Sequence, residues 1–372
     1  MLEKRSLKSS QTPSSRLRSS LKAWLVLPWL VFWPALGLAD GSGLQTYLAI
    51  DIVGQAGARQ KENPPDRLAV REVEVFFFGP IDPIFDGTLG LAAHQEEGKA
   101  FVELHEATLG STKWIPYSRF RLGQYFLGVG KLNATHRHDW PFISAPRVHR
   151  EFFDEEGVSD TGLEYSVVPP VSFPLDLTLG VTNGWTFGHT HSEGKKPRAP
   201  VHYARLSTFF SLPADGGLQI GANYLGRTDS EGLATSLVGL DMTMKWRDGR
   251  VLPFFLQSEV WLRELKPREG ATSRSLGFYV FPQVHVIQDV HLGLLYDGYT
   301  VLNLKDVLGK DVDNYDQGIG PSLTWKPSEF ATFRANYTWM LTNPDGKATR
   351  LGNSYAEVQT TFILGAHPAH EF

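Results

Sequence analysis

From residue 40 onward the chain alternates apolar and polar residues in about sixteen short segments. Residues 333–341 show the pattern plainly. Phe333, Ala335, Tyr337, Trp339 and Leu341 fall on one face, and Arg334, Asn336 and Thr338 on the other. A period of two predicts a β-strand with one apolar and one wet side. The same separation recurs along the chain. Leu48, Ile50 and Ile52 oppose Tyr47, Ala49 and Asp51; Leu175, Leu177 and Leu179 oppose Asp176 and Thr178. Val238, Leu240, Met242 and Met244 oppose Asp241, Thr243 and Lys245; Ala356, Val358, Phe362 and Leu364 oppose Tyr355, Glu357 and Gln359. Two segments do not alternate strictly: 71–78 (REVEVFFF) and 121–131 (RLGQYFLGVGK). Glycines 123, 128 and 130 in the second mark a bulge or a place where a loop packs against the wall.

Segments this numerous, about nine to fourteen residues long and preceded by an export signal, predict an all-β fold. The expected architecture is a transmembrane antiparallel up-and-down β-barrel of about sixteen strands, apolar faces to lipid and polar faces to a hydrated lumen. Connection lengths point the same way. Residues 212–217, 247–251, 287–290 and 326–330 are short turns, whereas 133–160, 184–200, 266–274 and 302–313 are longer and more polar. Outer-membrane barrels pair short periplasmic turns with longer external loops, which makes residues 132–160 the third external loop. Sixteen strands enclose an aqueous channel, where eight would fill with side chains.

The export signal is expected over residues 1–39. Lys4, Arg5, Lys8, Arg16, Arg18 and Lys22 precede an apolar run over 23–39, with Gly37 and Ala39 at the −3 and −1 positions. The alternative, a retained anchor, is marginal in length and interrupted by Pro28 and Pro34. The barrel domain is expected over 40–372, and no later run approaches eighteen apolar residues. Removing 1–39 takes away six basic groups and one acidic group, so a formal charge of −4 becomes about −9. That balance argues against a nucleic-acid partner. With zero cysteines, no disulfide framework exists and the sheet itself must supply the stability.

The segment 131–162 (KLNATHRHDWPFISAPRVHREFFDEEGVSDTG) is too long for a simple connection and too aromatic for a disordered one. It is expected to fold into the lumen as a constriction, with Trp140, Phe142, Phe152 and Phe153 against the wall and its charges toward the channel. The alternative is a cap over the outer mouth. Candidate constriction residues are Lys131, Arg137, Asp139, Arg147, Arg150, Glu155 and Glu156. Candidate pore-lining residues on the wall are Asp51, Asp176, Arg205, Asp241, Lys245, Glu259, Arg263, Arg334 and Glu357.

Residues 130–133 (GKLN), 136–142 (HRHDWPF) and 154–162 (DEEGVSDTG) resemble a family of porin-like bacterial outer-membrane proteins, similar in outline to the phosphate-selective porin O/P group. The closing Gly365-Ala366-His367 and the terminal Phe372 are similar to that group too. The likeness is sharp over about 121–162 and a pattern elsewhere. It implies a bacterial outer-membrane channel without carrying over a solute. Phosphate-selective members rely on basic pore-lining residues, whereas this loop is acidic on balance.

Two H-x-H pairs occur, one of His136 and His138, the other of His189 and His191. Each could offer two imidazoles to one zinc-like ion if the segment is extended, with Asp139, Glu155 or Glu156 nearby. Exposed loop histidines without metal are the commoner case. No G-x-S-x-G, H-E-x-x-H, P-loop or paired-Cys motif occurs, so no catalytic role and no cofactor is implied.

Three functions follow. The first is a passive channel for small hydrophilic solutes or ions, with the acidic chain suggesting mild cation preference. The second is a metal-binding barrel that uses its histidine loops. The third is a closed structural or adhesive barrel. The partners implied are outer-membrane lipid and the solutes themselves. Trimerisation, common among sixteen-stranded porins, is a candidate assembly with no protomer interface legible.

Overall fold

The computed structural model describes residues 43–57, 67–96, 99–185, 197–248, 251–305, 309–310, 314–341 and 354–365. The signal expected over 1–39 lies outside these residues, as do His367 and Phe372. So do His189 and His191, the second pair expected as metal ligands. The described residues form sixteen strands. The first eight are β1 (Gln45–Gly57), β2 (Arg67–Pro80), β3 (Asp86–Glu96), β4 (Lys99–Ser111), β5 (Ser118–Phe126), β6 (Ser159–Val167), β7 (Leu175–Thr182) and β8 (Ala199–Leu212). Then come β9 (Gly216–Thr228), β10 (Ala234–Asp248), β11 (Val251–Lys266), β12 (Ser273–Ile287), β13 (Val290–Leu302), β14 (Tyr315–Ser328), β15 (Ala331–Met340) and β16 (Tyr355–Gly365). One short helix, α1 (Arg147–Phe153), lies between β5 and β6.

Each strand pairs antiparallel with its sequence neighbour, and β1 also pairs with β16, from Tyr47 opposite Gly365 to Gly57 opposite Tyr355. The sheet is therefore a closed sixteen-stranded barrel with no free edge. Its faces follow the alternation of the chain. Along β15, Arg334 and Thr338 are buried while Tyr337 and Trp339 are exposed; along β16, Glu357, Gln359 and Thr361 are buried while Val358 and Phe362 are exposed.

The outer face is greasy to a degree water would not tolerate. Leu240 is 55% exposed, and Val181, Leu206, Val238, Leu323 and Leu364 belong to the same belt. Leaving one such side chain in water forgoes roughly 1.5–3 kcal/mol, so a belt of them requires an apolar surrounding. Outward rings flank it. Trp325 stacks on Phe333 at 5.1 Å and Phe333 meets Phe362 edge-on at 6.0 Å; farther along β15, Tyr337 and Trp339 pair at 5.1 Å. At ~3.3 Å per residue, Phe333 and Trp339 are about 20 Å apart along the strand, near the height of a membrane-barrel apolar band.

Connections on the side of the chain termini are short, as at 213–215, 288–289 and 329–330. On the opposite side they run to 127–158, 183–198 and 303–314, though 97–98, 229–233 and 267–272 are short. The long connection after β5 spans 127–158, slightly earlier than the 132–160 read from sequence.

The irregular segments have physical causes. Asp51 pairs with Glu72 and Ile52 with Val70, so Arg71 is an extra residue in β2. A second bulge between Gly90 and Leu91 makes His105 extra in β4. A bulge lets adjacent residues turn to one side. Arg71 and Glu72 both engage inward partners, and so do His105 and Glu106. The other irregular stretch, 121–131, is a strand only as far as Phe126.

Candidate functional site

The connection between β5 and β6 is stitched at its base. The Leu127 N–H donates to the Val158 carbonyl at 3.0 Å. The Asn133 amide donates to the Leu127 and Val158 carbonyls and accepts from the Val158 N–H at 2.7 Å. Beyond this stitch the chain meets buried side chains of the wall. Glu259 Oε1 accepts the N–H groups of Lys131 at 3.0 Å and Leu132 at 2.7 Å, while Glu259 Oε2 accepts the Trp261 indole N–H. The turn is possible because residue 130 is glycine. Its φ is +66°, and a Cβ there would stand 2.6 Å from Glu259 Oε2 and 3.0 Å from the Trp261 ring.

The apolar side of the segment packs on β11–β13. Phe142 sits edge-on to Tyr279 and Phe281, each at 5.5 Å. Helix α1 starts after Pro146 and ends where Asp154 takes φ 76°. Its Val148 and Phe152, four residues apart on one face, are both buried. Phe152 meets Tyr299 at 5.9 Å and Phe153 meets Trp261 at 4.8 Å.

Charged groups close the remaining gaps. The Arg147 backbone N–H and its Nη1 both reach Asp297, at 2.6 and 2.5 Å, and its Nε reaches Asp316 at 2.7 Å. Ser144 donates to Glu357 at 2.6 Å. Arg263 bonds the Glu151 carbonyl and lies over the Phe152 ring. Arg71 pairs with Asp51 and donates to the Ile143 carbonyl at 2.5 Å.

On the β1–β4 side, loop and wall share a cluster of acids and histidines. Glu74 on β2 accepts from His105 at 2.9 Å and from His138, and lies 3.2 Å from His136 Nδ1. Arg137 pairs with Glu156 at 2.8 Å. Burial works against protonating His138, but Asp139 and Glu74 outweigh it and raise its pKa well above the ordinary imidazole value. His136 is raised too, by Glu74 and Glu106 against the same burial. His149 on α1 behaves oppositely. Burial pushes its imidazole down to about 3, which the hydrogen bond to the Asp154 carbonyl only partly offsets.

At the first H-x-H pair, His136 gathers with Glu74 and His105 as one group of ligand-type atoms, while His138, its ring 5.8 Å away, is bonded to Glu74 and Asp139. Residues 137–139 form a turn of 3₁₀ helix, not the extended segment on which the chelate was premised. The expectation at His189 and at His191 falls outside the described residues.

The interior also holds a cavity of about 500 Å³. Its lining carries eight Arg or Lys side chains (Arg119, Arg121, Lys131, Arg205, Lys245, Arg247, Lys326 and Arg334) against three carboxylates, Asp139, Glu164 and Asp176. Glu164 is itself paired with Arg121 at 2.8 Å. This runs against the cation preference expected from the acidic chain. Net charge sums the whole molecule, whereas a solute meets only the residues along its path.

The residues singled out from sequence therefore divide. Lys131, Asp139, Asp176, Arg205 and Arg334 line the cavity. Arg147, Glu259, Arg263 and Glu357 are bound up in holding the loop segment, and Arg150 borders a small pocket beside Arg147. Asp241 pairs with Arg205 at 2.8 Å, and Glu155 lies 3.8 Å from Arg137. Sequence reading passed over Arg119, Arg121, Arg247 and Lys326, which sit toward strand ends. It also passed over Glu72, Glu74, His94 and His105. The signal for the two glutamates was present, since Glu72, Glu74 and Phe76 keep period two once Arg71 is set aside as a bulge.

No protein-family model matches the chain. An uncharacterised protein of Aquifex aeolicus is 25% identical over 335 residues, covering 80% of this chain and 69% of that protein. Among solved structures, the anion-selective porin of Comamonas acidovorans superposes with a TM-score of 0.59 at 11% identity, covering 87% of this chain and 99% of that one. The outer-membrane channel DcaP of Acinetobacter baumannii gives 0.59 at 8% identity, covering 86% and 96%. OmpF of Salmonella typhi gives 0.57 at 13%, covering 86% and 97%. At these identities the likeness establishes the fold: a closed antiparallel barrel of the outer-membrane kind.

Proposed function

We propose that this protein is an outer-membrane channel, not an enzyme, through which small hydrophilic solutes diffuse passively, with preference for anions. The observation that carries the reading is the cavity lining, where eight cationic side chains face three carboxylates. A water-filled passage with basic walls concentrates anions and repels cations by the sum of its fields. The third loop, residues 127–158, narrows the passage in this reading, with Lys131 and Asp139 presented to the solute and Arg147 and Glu259 acting as anchors. The long connections face the cell exterior and the termini face the periplasm.

Two finer parts belong to the same proposal. The kinship with the phosphate-selective porin O/P group rests on residues 130–162 and gains chemical sense from the basic lining. Assembly as a homotrimer is supported by analogy: one similar structure, OmpT of Vibrio cholerae, is described as a trimer form.

The test is single-channel recording of the purified protein in a planar bilayer under a KCl gradient. Discrete conductance steps with a reversal potential of anionic sign are expected. A cationic reversal would remove the selectivity. Absence of steps in a correctly folded preparation would remove the channel and favour the closed barrel.

A further inference from the structure

Four side chains from four segments converge at the junction of loop and wall: Glu72 on β2, His94 on β3, His105 on β4 and Glu156 on the loop. One ligand-type atom from each lies within 4.8 Å of the others. The wall members are almost fully enclosed, with Glu72 at 2% and His105 at 5% exposure. They also carry polar atoms that nothing satisfies. Glu72 Oε2, His94 Nδ1 and His105 Nε2 are buried and have no hydrogen-bond partner. Buried polar atoms are normally bonded, so three orphans in one cluster call for a missing partner.

His105 tells what kind of partner. Its Nδ1 lies 2.9 Å from Glu74 Oε1, and a carboxylate can only accept there, so the proton is on Nδ1. In the neutral ring the lone pair is then on Nε2, which has Glu156 Oε2 3.9 Å away. A carboxylate holding one imidazole nitrogen while the other faces an ion is the usual outer support of a metal-bound histidine.

We infer that Glu72, His94, His105 and Glu156 form a binding site for a divalent transition-metal ion of the zinc type, which fastens the third loop to strands β2–β4. Two imidazoles and two carboxylates suit a borderline ion with no strong geometric demand. Two carboxylate ligands balance its charge. Donors in a tetrahedral zinc site stand about 3.4 Å apart, so closing in from 4.8 Å moves each by about 1 Å at most. The site differs from the H-x-H chelate suggested by sequence. His138 is turned to Glu74 and Asp139, and His136 is near the four ligands without being one of them. The inference stands apart from conduction, since a channel with or without the ion would still pass current.

The test uses the full chain, folded in detergent and stripped with EDTA. Titration with ZnCl₂ in a calorimeter is expected to show one site per chain. His105→Ala and Glu72→Gln should each weaken it by about 10-fold or more, while His202→Ala on the outer face should leave it unchanged. Wild-type protein titrated with CoCl₂ needs no variant and should develop visible absorption of a four-coordinate ion, abolished by ZnCl₂. Absence of stoichiometric binding to wild type would overturn the inference. So would binding that survives in His105→Ala but disappears when His189→Ala and His191→Ala are combined.

Discussion

Arg147 and Asp297 are joined twice although 150 residues separate them in sequence: the guanidinium Nη1 meets Oδ1 at 2.5 Å, and the Arg147 backbone N–H meets Oδ2 at 2.6 Å. Both side chains are about 95% buried. Removing one partner of a buried pair costs ~3–5 kcal/mol when the other charge is stranded, and less here because Asp316 still reaches Arg147 Nε. Asp297→Asn is therefore expected to loosen the third loop without opening the barrel. Limited proteolysis should find new cleavage within 127–158, and single-channel current should become larger or noisier. Unaltered protease resistance and unaltered current would contradict the anchoring role.

The cationic lining predicts a graded response to charge reversal. Lys245→Glu and Lys326→Glu should each move the reversal potential toward cations, and the double variant farther still. The Debye length is ~10 Å at 0.1 M salt and ~3 Å at 1 M. The effect should then be largest in dilute KCl and fade in concentrated KCl. A reversal potential that ignores both substitutions would place the permeation path elsewhere.

His149 makes the loop sensitive to acid. Its folded pKa is depressed to about 3 by burial, while an unfolded histidine titrates near ~6.5. Between those values the released loop binds a proton that the packed loop refuses. The contribution of His149 to packing is complete above about pH 6.5 and is lost progressively as the pH falls toward 3. Its Nε2 is buried without a hydrogen-bond partner, so an added proton there would find no acceptor. Protection factors of the amides over 140–158, which correct for the slower chemical exchange in acid, should fall on acidification from pH 7 to 4. In His149→Phe that fall should be smaller.

The turn at Gly130 leaves no room for a side chain, since a Cβ meets Glu259 Oε2 at 2.6 Å and the backbone is left-handed. Gly130→Val should displace Glu259 from the N–H groups of Lys131 and Leu132, with a loss of order 1–3 kcal/mol. The readout is urea unfolding of the reconstituted barrel, in which Gly270→Val, at a left-handed residue (φ +109°) where a Cβ finds only Pro267 at 3.8 Å, is expected to be milder. Equal losses would remove the claim that the space at 130 matters.

The outward assignment of β10 is tested by Leu240→Arg. An arginine in the lipid-facing belt costs ~2–4 kcal/mol near the midplane. The same urea experiment should show that loss. Wild-type stability would place residue 240 away from lipid.

What the chain revealed alone was whatever depends on neighbours in sequence. Period two marked the strands, turn residues marked their ends, and the two faces sorted themselves because a strand turns successive side chains to opposite sides. Even the place of the longest loop was legible, since a run such as 127–158 between two strands has to go somewhere. Tertiary structure decided which inward charges meet. Glu259 and Arg147 look like any wall or loop charge in the sequence, yet one holds the backbone of Lys131 and Leu132 and the other is held by Asp297. The sign of the cavity was hidden for the same reason. Net charge adds up every residue, while the field inside a cylinder depends on which side chains converge across it. A bulge of one residue at Arg71 or His105 is invisible to a count of alternation, because it becomes a bulge only against the partner strand that lacks the extra residue.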